Sequence, residues 1–542
     1  MRAQRFMLLA VVGAVAFLSG GWLLQRGTSQ AGGVYEQARL FDDIVGYVSD
    51  YYVDSIGEAE LYDMAIDGLL NELDDPYASF LRAEQYRDLT ESTTGNYGGL
   101  GIRIEVRDNW ITVIAPIAGT PAEEAGLETG DRIVEVDGRS TFGWKNDKAV
   151  QELRGEPGSE VRISVMRPGI PEPLEFTVER ALIHVKAIQL ATVLGGDIGY
   201  VSLVYSSISE ALADELVEAI DGLRRQGARS LILDLRNNPG GLLDQGVAVS
   251  DLFLEPGKTI VSTRGRSRNA TASYAARQRE QWSDMPIVVL VNGGTASAAE
   301  IIAGALQDHD RAVVVGGPTF GKGLVQTVFR LSGTEALRLT TARWYTPSGR
   351  TIERMRPNPD SAAIVAAEDD PEGPPVSEVD SSEIFHTDGG RVVYGGGGIW
   401  PDITVQGDSL TDAEQLFVRT LGASYPQYRD VMTSYALELK AGGGVTSPSF
   451  EVTPTMRAEL LRRLREKDVQ IPDEVWGDAR ALVDQQFTYE IARYVFGREA
   501  ETRRRIRDDV QVQKALALLD QAQTPVELIQ LAIQDRETVR SP

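Results

Sequence analysis

The chain of 542 residues contains no cysteine and only three histidines, His184, His309 and His386. The absence of cysteine excludes disulfides, thiol catalysis, thiolate metal sites and lipidation on cysteine. The scarcity of histidine restricts any mechanism that depends on imidazole. Basic residues are also few, since 54 lysines and arginines stand against 79 acidic residues. Because phosphate binding requires a basic face, the net charge of −25 argues against a nucleic-acid partner.

An apolar run at the N-terminus predicts export. Arg2 and Arg5 precede apolar residues from Phe6 to Leu24, and a run of about 19 residues can cross a bilayer as a helix. A positively charged start followed by such a run is typical of an export signal. We expect residues 1–33 to form an uncleaved membrane anchor, with a cleaved signal as the alternative. The rest of the chain would then lie on the periplasmic side of a bacterial cell envelope.

Hydrophobic patterns divide the remaining chain into segments of different kinds. Helical spacing of apolar residues predicts helices, and β-branched alternation predicts a compact β-rich binding module. Continuous apolar strands between amphipathic helices predict an α/β core. A stretch rich in Pro, Asp, Glu and Ser predicts an insertion or linker. The predicted segments are an N-terminal helical region at 34–95, the binding module at 96–183, the core at 184–353, the insertion at 354–388, closing strands of the core at 389–408 and a helical tail at 409–542.

The strongest signal for chemistry is the sequence VNGGTASAAE. An apolar strand enters a Gly-rich turn there, and a helix is predicted to start at about Ser297. A hydroxyl at this point would face a cleft beside the unpaired N–H groups of the helix start, which can stabilise an oxyanion. Serine is also a common helix cap, so the local sequence leaves both roles open.

A nucleophilic serine needs a base, and the sequence offers two candidates. His309 follows Ser297 by twelve residues on the same helix, roughly 18 Å along its axis, which is too far for direct contact. Lys322 lies in the Gly-bracketed loop PTFGKG after a buried strand, where apolar walls would favour its uncharged, basic form. A solvated loop lysine is the alternative. A phosphate-binding loop is not indicated, because Gly323 stands where that motif needs Ser or Thr.

Together these motifs resemble the catalytic region of the carboxyl-terminal processing, or tail-specific, serine peptidases. The resemblance rests on VNGGTASAAEIIAGALQDHDRAVVVGGPTFGKGLVQ and DLRNNPGG, and it covers about residues 35–405. It implies that Ser297 is the nucleophile, Lys322 the general base and Gln326 the residue that orients the lysine. The chain has TAS where SAS is commoner in the family, which leaves the nucleophile itself unchanged.

The same resemblance implies roles for residues around the dyad. The oxyanion-hole N–H groups would belong to Gly240 and Ala298. Asp308 would give structural support, and Glu300 is a further supporting position. No metal or organic cofactor is implied.

The segments YGGLGI and AEEAGLETGDRIVEVDG resemble the PDZ module of that family. In such a module, backbone N–H groups of a Gly-Leu-Gly loop hold a peptide carboxylate while the peptide adds as a strand. The matching loop residues are Gly99, Leu100, Gly101 and Ile102. Val150 and Leu153 on the following helix either line a side-chain pocket or pack in the core.

The expected fold is α/β: a crotonase- or ClpP-like protease core with an inserted, mostly β PDZ domain, a helical N-terminal segment and a helical C-terminal tail. The expected function is a serine endopeptidase that recognises the C-terminal tails of protein substrates. Its expected partners are proteins with free C-termini, with an adaptor protein, further copies of the chain and the membrane as additional candidates. The alternatives are a non-catalytic PDZ scaffold and a crotonase-type acyl-CoA enzyme.

Overall fold

The structure, a computed structural model, describes residues 35–188, 190–331, 333–354, 383–407 and 410–540. The predicted anchor and most of the acidic insertion lie outside the described residues. Within the ranges described, no helix combines the length and apolar character needed to cross a bilayer. The described residues divide into two compact units, a smaller one made of 35–83 with 327–331 and 333–340, and a larger one made of the other described residues.

The N-terminal part of the smaller unit contains two helices and a short strand. Residues 35–51 form helix α1, Glu58–Asn71 form α2, and Ser79–Leu81 form strand β1. Strand β1 pairs antiparallel with residues 336–338, with Leu81 opposite Ala336. The region predicted as helical therefore also contains a strand.

The larger unit begins with a β-rich module that follows helix α3 (Ala83–Thr94). A two-stranded stem of β2 (Asn96–Gly99) and β9 (Ala181–His184) encloses an antiparallel sheet in the order β3-β4-β5-β7-β8. The other elements of the module are β3 (Ile102–Arg107), β4 (Trp110–Pro116), α4 (Pro121–Glu124), β5 (Arg132–Val136), β6 (Arg139–Ser140), α5 (Asn146–Leu153), β7 (Glu160–Met166) and β8 (Leu174–Glu179). Because β3 is an edge strand, its outer backbone groups can pair with an added strand.

The centre of the larger unit is a six-stranded sheet in the order β10-β11-β12-β15-β16-β21, parallel except for β10. Its strands are β10 (Leu190–Leu194), β11 (Ile198–Ser202), β12 (Ser230–Asp234), β15 (Ile287–Val291), β16 (Val313–Gly316) and β21 (Ile403–Thr404). Successive side chains alternate between two apolar cores, since Leu231 and Leu233 face one core and Ile232 faces the other. This explains the continuous apolar runs in the sequence.

Three helices cover the first face of the central sheet: α6 (Leu212–Arg225), α7 (Leu243–Asp251) and α8 (Ala298–Asp308). Helix α8 is buried along its whole length. The remaining strands are β13 (Thr259–Gly265), β14 (Ala272–Ala275), β17 (Leu324–Arg330), β18 (Ala336–Tyr345), β19 (Ile384–His386) and β20 (Val392–Tyr394). Strand β19 lies within the segment predicted as an insertion, because residues 384–386 pair with β20.

The C-terminal region has two parts that pack on different neighbours. Helices α9 to α13 have an apolar core of their own, whereas α15 and α16, with Ile506 of α14, cover the second face of the central sheet. The bundle also contacts the β-rich module, where the Arg107 guanidinium lies 3.7 Å from both Asp430 and Glu490. The helices are α9 (Asp412–Leu421), α10 (Tyr425–Ala441), α11 (Pro454–Glu466), α12 (Asp473–Asp478), α13 (Arg480–Ile491), α14 (Arg498–Asp508), α15 (Val510–Leu519) and α16 (Pro525–Arg540).

The packing of α16 on the central sheet predicts unequal effects of two substitutions in that helix. Leu528 is 1% exposed, whereas Val526 is 66% exposed. We expect Leu528→Ala to lower the free energy of unfolding by about 2–5 kcal/mol, because it leaves a cavity against the sheet. Val526→Ala should change it by less than about 0.5 kcal/mol. Urea unfolding followed by circular dichroism measures both, and equal losses would contradict this packing.

Candidate active site

Ser297 lies at the turn between β15 and α8 with an unusual backbone conformation. Its φ is 55° and its ψ is −118°, a region that costs a residue other than glycine of order 1–3 kcal/mol. Sharp strand-to-helix turns of this kind present a nucleophile above a sheet. Ser297 is partly exposed, while Ala296 and Ala298 on either side are buried. This conformation therefore leaves Ser297 partly exposed between two buried neighbours.

A buried carboxylate, that of Glu300, lies beneath this turn. Glu300 is fully buried. Its two oxygens accept four hydrogen bonds, from the Ser297 N–H at 2.7 Å, the Lys322 N–H at 3.0 Å, the Gly321 N–H at 2.8 Å and the Thr319 hydroxyl at 2.5 Å. Burial raises the pKa of Glu300 above its ordinary value, and the four hydrogen bonds oppose that rise. The carboxylate thus joins the helix start to the lysine loop.

Lys322 is brought to the same place as Ser297. Both backbone N–H groups donate to one oxygen, Oε2 of Glu300, so the two nitrogens can be no farther apart than the sum of those hydrogen-bond lengths. The half-buried Lys322 Nζ donates to Gln326 Oε1 at 3.2 Å, and its carbonyl oxygen accepts the indole N–H of Trp344 at 3.0 Å. The lysine is therefore held by its side chain and its backbone.

Gly240 packs directly against the serine turn. A Cβ at this position would lie 2.6 Å from the Ala296 carbonyl oxygen and 2.9 Å from both Ser297 Cβ and the Ala298 nitrogen. The Gly240 N–H donates to Asn238 Oδ1 at 2.9 Å. The Ala298 N–H, at the first residue of α8, has no intrahelical acceptor. The two residues expected to bind the oxyanion thus lie side by side, with one N–H engaged by a side chain.

Three asparagines that the sequence analysis did not single out connect the loop that carries Gly240 with the turn that carries Ser297. The Asn237 backbone N–H donates to Asn292 Oδ1 at 2.8 Å, and Asn292 Nδ2 donates to Asn237 Oδ1 at 3.0 Å. The Ala296 N–H donates to the Asn238 carbonyl oxygen at 2.9 Å. The asparagines of DLRNNPGG and VNGG could have indicated these contacts, because the asparagine side chain has both a donor and an acceptor group.

Asp308 lies at the opposite end of α8 from Ser297. Its Oδ1 accepts Arg350 Nη2 at 2.6 Å and its Oδ2 accepts the Ser348 N–H at 3.0 Å, with both ion-pair side chains buried. Burial lowers the pKa of Arg350, and Asp308 opposes that change. The structure does not bring His309 to Ser297, since its ring nitrogens contact Asp388 and the Thr259 carbonyl oxygen.

The loop expected to bind a peptide carboxylate leads into the edge strand β3. Gly101 has φ +78°, and a Cβ there would lie 2.3 Å from Thr120 Cβ, so only glycine fits. The loop carbonyl oxygens are bound from inside, since Leu100 O accepts the Ala122 N–H and Gly101 O accepts the Ile117 N–H. Gly99 ends β2 and Ile102 begins β3.

A cavity of about 660 Å³ lies between the helix α5 of this module and the segment 205–209 of the core. Val150 lines it, whereas Leu153 is buried in the core of the module. The segment 205–209 contacts the loop that carries Gly240, because the Ile208 N–H donates to the Gly240 carbonyl oxygen at 2.9 Å. The cavity therefore lies between the α5 side of the module and a segment that is one contact away from the serine turn.

Comparison with known proteins defines the class of this chain. Residues 197–363 match Peptidase family S41, and residues 112–167 match the PDZ domain family. The carboxy-terminal-processing protease of Bartonella bacilliformis is 42% identical over 337 residues, which cover 61% of this chain and 76% of the relative. The carboxyl-terminal-processing protease of Synechocystis sp. is also 42% identical, over 55% of this chain and 69% of the relative.

The chain thus belongs to the carboxy-terminal-processing family of serine peptidases. A solved structure, that of a photosystem II D1 C-terminal processing protease, is 32% identical and covers 58% of this chain and 84% of its own, with a TM-score of 0.34. The predicted family, the α/β class with a PDZ domain and the serine-type peptidase activity are confirmed. These matches favour neither the acyl-CoA enzyme nor the non-catalytic scaffold.

The contact between Gly240 and the serine turn predicts that a single methyl group there abolishes most activity. Gly240→Ala should lower kcat by about a hundredfold, because the added Cβ displaces the turn that carries Ser297. Gly257→Ala is a matched control, since Gly257 has φ +91° against +89° for Gly240 but open space around it. It should lose about 1 kcal/mol of stability with kcat unchanged. Similar kcat values in the two variants would contradict the steric argument.

Proposed function

We propose that this peptidase cleaves proteins by a Ser297–Lys322 dyad after its PDZ domain has bound the free C-terminus of the substrate. The observation that carries the proposal is the Glu300 oxygen that accepts the N–H groups of both dyad residues. A shared acceptor fixes the serine turn and the lysine loop relative to each other, as a nucleophile and its base require.

The proposed reaction needs only groups of this chain and water. Uncharged Lys322 accepts the proton of the Ser297 hydroxyl, and the oxygen attacks the scissile carbonyl carbon. The oxyanion that forms is stabilised by the N–H of Ala298 and by an N–H of the Gly240 loop. The protonated lysine then gives its proton to the leaving amine. A water molecule hydrolyses the acyl-enzyme by the same steps and restores the serine.

The surroundings of Lys322 support its role as a base. The amine must be uncharged when it accepts the proton, and partial burial works in that direction. The contact to Gln326 Oε1 orients the nitrogen through a neutral acceptor. Glu300 holds the lysine loop through the Lys322 backbone N–H.

The architecture of the PDZ module supports tail recognition. Strand β3 lies at the edge of its sheet and follows the Gly-Leu-Gly loop, so a peptide can pair with it while its carboxylate meets the loop N–H groups. Within the described part of the chain, the N–H groups of Leu100 and Gly101 donate to no other group. Such groups favour an anion as their acceptor.

The dyad predicts the loss of turnover in two single variants. Ser297→Ala and Lys322→Ala should each lower kcat toward a disordered test protein by about 10⁴-fold or more, because each removes a bond-making or proton-accepting group. Lys467→Ala, which removes an exposed lysine, is the control and should match the wild type. Turnover that survives either dyad substitution would refute the mechanism.

Tail recognition predicts that the substrate carboxylate matters. Two substrates identical except for a free or an amidated C-terminus should differ by about 10–100-fold in kcat/KM, since hydrogen bonds to a charged group contribute about 1.5–3 kcal/mol. The comparison is measured by quantifying cleavage products of both substrates under the same conditions. Equal rates would rule out carboxylate recognition and leave the dyad untouched.

A further inference from the structure

The helix α15 of the C-terminal region begins on the loop that carries Gly240. Its N-cap residue is Asp509, whose Oδ1 accepts the N–H groups of Gln511 at 2.9 Å and Val512 at 3.1 Å. The other oxygen, Oδ2, accepts Arg236 Nη1 at 2.6 Å, and the same Nη1 donates to Gln511 Oε1 at 2.9 Å. One carboxylate therefore does two separate things: it caps a helix of the tail and holds an arginine of the catalytic core.

Arg236 is fixed from its other side as well. Its Nε donates to Asp234 Oδ1 at 2.9 Å and its Nη2 to Asp234 Oδ2 at 2.6 Å, a two-pronged contact with a buried carboxylate at the end of β12. Burial opposes the charge of Arg236, but Asp234 and Asp509 outweigh it and raise the pKa of Arg236 above its ordinary value. The guanidinium thus joins the end of a central strand to the start of α15.

Arg236 is also the first residue of the path to Gly240. The next residue, Asn237, has φ +52° and is bound to Asn292, and Asn238 accepts the Ala296 N–H. Gly240 then packs on Ser297 within van der Waals distance. A shift of Arg236 would therefore pass through a short, hydrogen-bonded loop to the groups that surround the nucleophile.

We infer that Arg236 and Asp509 form a positioning pair through which the C-terminal helical region sets the geometry of the oxyanion loop. Neither residue touches the reacting atoms, so the pair acts through Gly240 and its neighbours. The inference rests on the proposed function, because it assumes that this loop stabilises the oxyanion. It gives the tail, which the family resemblance did not cover, a part in the chemical step.

The two roles of Asp509 can be separated by substitution. Serine is as good an N-cap as aspartate, but its hydroxyl is too short and uncharged to hold Arg236, which leaves the neutral Gln511 Oε1 as the acceptor on α15. Asp509→Ser should therefore lower kcat about tenfold with KM unchanged, since a small misplacement of a catalytic group slows the chemical step. Asp509→Asn keeps an acceptor without the charge and should give a smaller loss. Arg236→Lys keeps the charge, loses the two-pronged contact and should resemble Asp509→Ser.

A second measurement reports on the oxyanion loop directly. A fluorophosphonate probe reacts when Ser297 Oγ bonds to phosphorus, Lys322 accepts the hydroxyl proton and fluoride leaves, with the phosphoryl oxygen in the place of the oxyanion. The labelling rate of Asp509→Ser should fall in parallel with kcat. Thr453→Ala is the matched control, because it removes the cap of α11, where the Thr453 hydroxyl accepts the Met456 N–H, far along the chain from the pair. Its kcat and labelling rate should equal those of the wild type.

The outcomes distinguish the two proposals. Wild-type kcat and labelling in both Asp509→Ser and Arg236→Lys would overturn the positioning pair and leave the dyad intact. An equal loss in Thr453→Ala would also overturn it, because the effect would then come from any weakening of the tail. Turnover or labelling that persists in Ser297→Ala would instead overturn the proposed function.

Discussion

The geometry of the active site depends on the buried carboxylate of Glu300. A carboxylate without water around it is stable only when its oxygens are hydrogen-bonded, and here four donors from two separate segments converge on it. Those segments are the start of α8 and the loop after β16. Each of them is irregular, and neither has a repeating hydrogen-bond pattern of its own. The Glu300 carboxylate supplies the hydrogen-bond acceptors that these segments lack, and it fixes the strained serine and the lysine loop in one arrangement.

The rest of the core supports that arrangement from both ends of α8. At one end the asparagines of two neighbouring turns exchange hydrogen bonds, and at the other end Asp308 meets Arg350 away from solvent. The helix between these two ends is buried along its whole length, so it is held by contacts at its start, along its sides and at its end.

The sequence predicted the parts of the site that depend on local patterns. The strand, the Gly-rich turn and the helix start around Ser297 follow from apolar periodicity and glycine, and the family resemblance pointed to Lys322 and Gln326. The sequence did not predict that Asn238 Oδ1 accepts the Gly240 N–H or that Glu300 accepts four hydrogen bonds. Such contacts form between residues that are distant in sequence and meet only when the strands are assembled. Helix geometry alone predicts that His309 is too far from Ser297 for direct contact, but its partners Asp388 and Thr259 come from segments whose pairing no periodicity reveals.

The tail shows the same limit and has a consequence for synthesis. Helical spacing predicted α15 and α16 but not that they cover the second face of the central sheet, where Ile232, Val288 and Leu290 pack beneath them. In a chain made from its N-terminus, Ser297 and Lys322 leave the ribosome long before residues 506–532 do. Until those residues are made, the side chains on the second face of the sheet lack the helices that cover them. The order of the chain therefore puts the completion of this core after the synthesis of the candidate site residues.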